Sequence, residues 1–143
     1  MCVQRLSHLH LQLTSLDLQD SFPLTHQSLT VTYVHTFGLV YEWEGTDASL
    51  KPLLLTSHQD VVPVLSDTRP QWSHDPYGGE FDGEKIWGRG ATDDKSGLIG
   101  SLAAVELLLE WGEFTPQRTV ILGLGYDEEA SGKVGNRAKV DIR

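Results

Sequence analysis

The chain has 143 residues, enough for one modest core, and 39% hydrophobic with 22% charged residues is an ordinary globular balance. Eleven basic against twenty acidic residues give a net charge of -9, which opposes binding to a nucleic-acid backbone or to an anionic lipid surface. The single cysteine, Cys2, excludes an intramolecular disulfide, and the first twenty residues hold no unbroken apolar run of signal-peptide or membrane-span length, so the sequence carries no address that fixes a compartment.

Leu6, Leu9, Leu13 and Leu16 recur at three- and four-residue steps and predict an amphipathic helix ending before Pro23. His8 and His10 fall off that stripe and read as surface residues. Residues 29–44, rich in Val, Thr, Tyr, Phe and Trp and broken at Gly38, predict two strands, with His35 an ordinary strand residue. Gly45 to Ser49 is a turn cluster.

The apolar run after Pro52 lacks alternation and predicts a strand buried on both faces, of the kind found inside an α/β sheet. His58 and Asp60 stand at its carboxyl end, where open α/β sheets bind their ligands. Their i, i+2 spacing places both side chains on one side of an extended segment, and an acid beside a histidine can fix its tautomer and raise its basicity. His-x-Asp alone is a common pattern.

Residues 65–82 form a long irregular connection in which His74, next to Asp75 and surrounded by Pro and Gly, reads as mobile loop surface rather than as a ligand. Residues 80–87 predict a hairpin turning at Asp82-Gly83. Then comes WGRGATDDKSG, residues 87–97, in which three glycines punctuate an acid pair and a lysine. Its plain reading is a solvated turn, with Ser96 placed to cap the helix behind it and Lys95 either offsetting the acids or solvated. Gly97 to Trp111 predicts that helix, apolar on a broad face and stopped by Gly112. Arg118 to Gly125 predicts a second buried strand, ending in Asp127-Glu128-Glu129. Like charges gathered at a strand end cost free energy unless a cation offsets them.

Three acid-bearing ends thus follow three structured runs in the order His58-x-Asp60, Asp93-Asp94-Lys95, Asp127-Glu128-Glu129. With the phrases FPLTHQSL, SHQDVVPV, IWGRGATDDKSG and RTVILGLGYDEEASG, this arrangement resembles the co-catalytic zinc exopeptidases, a family that includes carboxypeptidase S, aminoacylase and bacterial glutamate carboxypeptidase. The carboxypeptidase S branch, with its secreted N-acyl amino acid hydrolases, is the most similar.

The resemblance implies a fold and a set of roles. The fold is a three-layer α/β/α catalytic domain with a mixed, largely parallel sheet. Residues 1–28 would be an N-terminal helical segment and 29–143 a motif-bearing core, with no lid domain. Two Zn2+ ions complete such a site. His58 would be a terminal ligand of one, Glu129 of the other, and Asp93 would bridge them, with Asp94 a neighbour. Asp60 would orient His58, and Glu128 would be the general base that deprotonates the bridging water. Two divalent ions roughly 3.5–4 Å apart acidify water and polarise a carbonyl. The expected reaction is hydrolysis of a peptide or N-acyl amide bond beside a free carboxylate.

Family members add a further acid beyond the DEE run, a late histidine and a lid; here Asp141 lies very near Arg143. The expectation is therefore of an N-terminal portion, weak or inactive alone. The alternatives are a non-catalytic metal-binding module and a dinuclear phosphoesterase. The second is disfavoured because no histidine follows His74. Substrate side chain, compartment and oligomeric state are not read from the sequence.

Overall fold

A computed structural model of the protein describes residues 18–35 and 37–132. The predicted helix over Leu6 to Leu16, with His8 and His10, lies outside the described residues, as does Asp141; residues 18–21 are helical. In chain order come α1 (Pro23–Ser28), β1 (Thr30–Val34), β2 (Gly38–Trp43), β3 (Leu53–His58), a 3-10 turn at Arg69–Gln71, β4 (Glu80–Phe81), β5 (Ile86–Trp87), α2 (Lys95–Trp111), β6 (Val120–Gly125) and a 3-10 turn at Glu128–Ala130.

The main sheet has the order β1-β2-β6-β3 and is mixed. The pairs β1/β2 and β2/β6 are antiparallel, whereas β3 runs parallel to β6 from Leu53↔Val120 to His58↔Gly125. Parallel neighbours need a long crossover, and α2 lies within it. The register makes β3 and β6 end level, so whatever follows each strand emerges at one place. His35 is not a strand residue as expected. It sits in the β1–β2 reversal at φ 49°, where the chain turns back within a few residues.

The core joins Leu39 and Tyr41 of β2 and Leu122 and Leu124 of β6 to Leu98, Leu102 and Val105 of α2, with Leu18, Phe22 and Leu29 closing its end. The 98, 102, 105 spacing is one helical stripe, and each such side chain contributes roughly 1.5–3 kcal/mol when fully buried. Tyr41 is fully buried, and burial pushes its phenol pKa up, with Tyr33 adding to the shift. The Tyr41 hydroxyl lies 3.0 Å from His26 Nε2, while His26 Nδ1 is 2.9 Å from the Phe22 carbonyl. That pairing makes Nδ1 the donor and Nε2 the acceptor of the Tyr41 proton. Across the helix pair, the Glu106 carboxylate accepts the Leu24 and Thr25 amides (2.9 and 2.8 Å) and the Thr25 hydroxyl (2.7 Å), tying α1 to α2.

The apolar run of β3 is not buried on both faces. Leu53, Leu54 and Leu55 are 45%, 52% and 40% exposed. The reason is position: β3 is the last strand in the order and hydrogen-bonds to β6 alone, so its other edge and part of its surface have no cover among the described residues. β6, with strands on both sides, has Ile121, Leu122 and Leu124 buried as expected. α2 starts at Lys95, two residues earlier than expected, and ends where Gly112 takes φ 72°. Ser96 does not cap it; its hydroxyl donates to the Thr92 carbonyl at 2.6 Å, and Asp94 occupies the cap position.

Candidate metal centre

His58 ends β3 and is 8% exposed. Its Nδ1 faces the Asp60 carbonyl at 3.1 Å and the Asp60 carboxylate at 3.4 Å; its Nε2 lies 3.0 Å from Asp93 Oδ1 and 3.8 Å from Glu128 Oε2. Burial acts to lower the pKa of this imidazole. The Asp93 and Asp60 hydrogen bonds and the fields of Asp60 and Glu128 outweigh it, and the net shift is upward.

Asp93 is presented by the glycine-punctuated loop. Gly90 takes φ 81°, and a side chain there would run into Val61. The Asp93–Asp94 peptide bond is cis. The two carboxylates diverge: that of Asp93 is 81% exposed and meets His58 Nε2, whereas Asp94 Oδ2 accepts the His58 backbone N–H at 3.2 Å. Gly97 leaves the space Asp94 occupies, since a Cβ at 97 would collide with Asp94 Oδ1. Asp94 is thus the brace of the His58 backbone. The duplicated acid followed three residues later by a glycine was the available signal for it.

The acids after β6 are held by Asp60. Its Oδ1 accepts the Glu128 N–H at 3.2 Å and its Oδ2 accepts the Glu129 N–H at 3.0 Å. One carboxylate therefore touches His58 and fixes the turn that carries Glu128 and Glu129, a second task that the His-x-Asp spacing did not reveal. Lys95 neither offsets the Asp93-Asp94 pair nor stands in solvent. Its Nζ donates to the Gln59 carbonyl at 2.7 Å; burial lowers its pKa and the charge of Asp60 opposes that shift. His74 stands partly exposed on its loop. It stacks on Trp87 with ring centroids 4.3 Å apart and places Nδ1 2.9 Å from Glu80 Oε2. It lies outside the cluster around His58.

His58, Asp93 and Glu129 each offer one ligand atom, and these atoms lie within 4.8 Å of one another. An imidazole and two carboxylates form a donor set suited to zinc and other borderline divalent ions, and three is the number of protein ligands a catalytic zinc takes. The residues fit a metal ion. Residues 54–141 match the model of peptidase family M20/M25/M40. The chain belongs to this family.

Among its relatives, this M20/M25/M40 chain is 48% identical over 119 residues to carboxypeptidase S of Saccharomyces cerevisiae, covering 82% of this chain and 20% of the relative. It is 41% identical over 116 residues to the N-fatty-acyl-amino acid synthase/hydrolase PM20D1.1 of Danio rerio, covering 80% and 21%. The chain thus spans about a fifth of the length of these curated relatives. The fold is similar to that of the M20 family metallo-carboxypeptidase Sso-CP2 from Sulfolobus solfataricus, with a TM-score of 0.66 at 24% identity over 85% of this chain and 26% of that one. It is also similar to human carnosine dipeptidase 1, with a TM-score of 0.64 at 18% identity over 92% and 35%. The expected α/β catalytic-domain fold with a mixed sheet and the carboxypeptidase S branch both hold, but the sheet is not largely parallel: among the described residues two of its three strand pairings are antiparallel. Among the described residues no helix is long and apolar enough to cross a membrane.

Proposed function

We propose that this chain carries a zinc-binding centre of a hydrolase that cleaves the amide bond of a peptide or an N-acyl amino acid beside a free carboxylate. The observation that carries this reading is the convergence of His58, Asp93 and Glu129 at the level ends of β3 and β6, with Glu128 beside them. The names of the relatives, a carboxypeptidase and an N-fatty-acyl-amino acid hydrolase, support the substrate class. In this reading residues 1–143 are part of a catalytic domain.

The chemistry supplied by bound zinc is an acidified water and a polarised amide carbonyl. His58, Asp93 and Glu129 would hold the metal. Glu128, a carboxylate outside that donor set, takes the proton of the attacking water and returns it to the nitrogen as the carbon–nitrogen bond breaks. Asp60 keeps His58 and the Glu128–Glu129 turn in mutual position through the two amides it binds.

Zinc titration against a chromophoric chelator, with hydrolysis of N-acyl amino acids followed in parallel, tests the assignment. Asp93→Ala should abolish uptake and Glu128→Gln should leave it intact while removing turnover by 10²-fold or more, about the value of a general base. Uptake unchanged in Asp93→Ala would overturn the reading. One observation favours metal binding without turnover: the cluster among the described residues numbers three donors, enough for one ion. Zinc uptake with no hydrolysis by the unaltered chain selects that second reading.

A further inference from the structure

Among the donors of the cluster, Asp93 is held least by its own side chain. That side chain is 81% exposed, and among the described residues its carboxylate has one hydrogen-bond partner, His58 Nε2 at 3.0 Å. Where the carboxylate stands is therefore decided by the backbone of the loop between β5 and α2.

Two hydrogen bonds fasten this loop to the backbone at the end of β3. Asp94 Oδ2 accepts the His58 N–H at 3.2 Å, and Lys95 Nζ donates to the Gln59 carbonyl at 2.7 Å. The peptide groups they grip lie on either side of His58-Gln59, so the strand end is held at two points. The Gln59 carbonyl is a firm anchor. Gln59 is 3% exposed, its N–H donates to the Gly125 carbonyl at 2.8 Å, and its side-chain amide donates to the Phe37 and Leu124 carbonyls at 2.9 and 3.3 Å. One residue, placed between His58 and Asp60 in the chain, thus joins the ends of β3 and β6 to the β1–β2 reversal. At its other end the strut is equally fixed, because the Lys95 N–H donates to the Gly90 carbonyl at 3.1 Å.

A lysine is an unfavourable choice here for the helix itself. The helix dipole opposes a cation in the first turn, and partial burial of the ammonium opposes it again. Lys95 is the first residue of α2, and burial lowers its pKa. What the position gains is a charge-assisted hydrogen bond, which is shorter and stronger than a neutral one, at the end of a side chain long enough to cross from α2 to the strand.

We propose that Lys95 is a positioning residue of the metal centre: by spanning from the start of α2 to the Gln59 carbonyl it holds the Asp93 carboxylate beside the His58 imidazole, so that both reach one ion. This role rests on the zinc-binding reading above.

Lys95→Met keeps the reach of the side chain and removes the donor, whereas Lys95→Arg keeps a charged donor; Lys95→Gln replaces the first if it does not fold by circular dichroism. Chelator competition gives the zinc affinity, visible absorption of the Co2+-loaded chain reports the arrangement of the donors, and amide hydrogen exchange of the metal-free chain reports the His58 N–H. Lys95→Met should lower zinc affinity by about 10- to 100-fold and alter the Co2+ spectrum, and Lys95→Arg should recover most of the affinity. In the metal-free chain, Lys95→Met should speed exchange of the His58 amide by about tenfold while amides in the middle of β6 keep their rates. Zinc affinity within twofold of the native value in Lys95→Met overturns the proposal. So does loss of the fold in both Lys95→Met and Lys95→Gln, which would make Lys95 a residue of the fold rather than of the centre. Absence of zinc uptake by the native chain refutes the hydrolase reading, and the His58 amide then decides the strut alone: faster exchange in Lys95→Met keeps it, and an unchanged rate overturns it.

Discussion

Replacing Asp60 by Asn exchanges one carboxylate oxygen for an amino group and keeps the shape of the side chain. In the native chain both oxygens are acceptors, for the Glu128 amide at 3.2 Å and the Glu129 amide at 3.0 Å, and Oδ1 also lies 3.4 Å from His58 Nδ1. An asparagine offers one acceptor and turns two donors toward a backbone donor, so one of the two amide bonds is lost in either orientation. A hydrogen bond to a charged group contributes roughly 1.5–3 kcal/mol, and the remaining bond is weakened because its acceptor is now neutral. Glu129, a member of the donor set, and Glu128, the proposed base, then move together. Converted at 1.4 kcal/mol per decade, the loss corresponds to a zinc affinity lower by about 10- to 100-fold, the usual range for groups that position ligands. Competition of the purified variant with a chromophoric chelator measures it directly. Zinc affinity within twofold of the native value, with the fold intact by circular dichroism, would show that Asp60 does not set the geometry of the cluster.

Three further outcomes follow from the packing. Glu106→Ala leaves the Leu24 and Thr25 amides and the buried Thr25 hydroxyl without their acceptor, and should lower stability by about 2 kcal/mol and the melting temperature by roughly 6 °C. Burial acts to raise the Glu106 pKa, but its hydrogen bonds and His26 bring it below the ordinary 4.5. Its contribution is therefore full above that value and is lost as pH falls through the lower folded one; melts of native protein and Glu106→Gln should converge as the solution is acidified below pH 4.5. Gly97→Ala adds a side chain against Asp94 Oδ1, and the helix-propensity gain of about 1 kcal/mol offsets much of the clash. Thermal stability should change little while zinc affinity falls by about tenfold, because Asp94 loses its place under the His58 amide. A variant both more stable and equal in zinc affinity would contradict this account of Gly97.

The elements that were legible in the sequence are those whose signal is local. Gly112 stopped α2, Asp82-Gly83 turned the β4–β5 hairpin and Gly38 opened β2. The burial of β3 was not legible, since Leu53, Leu54 and Leu55 would be covered in a central strand and are open where β3 is the last strand among the described residues, a difference set by distant residues. At the candidate centre, the five residues that the family resemblance pointed to, His58, Asp60, Asp93, Glu128 and Glu129, come together in space. What stayed hidden were contacts to backbone: Asp60 on two amides, Asp94 on the His58 N–H, Lys95 on the Gln59 carbonyl. A peptide group has no letter of its own, so a spacing rule cannot point to it. His74 stays outside the cluster as its loop setting suggested, but its stack on Trp87 was hidden for a related reason, because that contact bridges the loop and the hairpin.

The parallel pairing of β3 with β6 also bears on when the centre can come into being. Its donors lie at positions 58, 93 and 129, and β6, which brings the last of them to the first, is the final strand of the described chain. The contact closes a long loop, the kind of step that is slow in chains dominated by distant pairings. Until β6 docks, His58 has neither Glu128 nor Glu129 beside it, and an ion that prefers the assembled donors stabilises only the chain that has completed this step. Zinc present at 100 times its dissociation constant would add about 2.7 kcal/mol to the folded state. Metal supply would then act on the lifetime of the folded chain as well as on its chemistry.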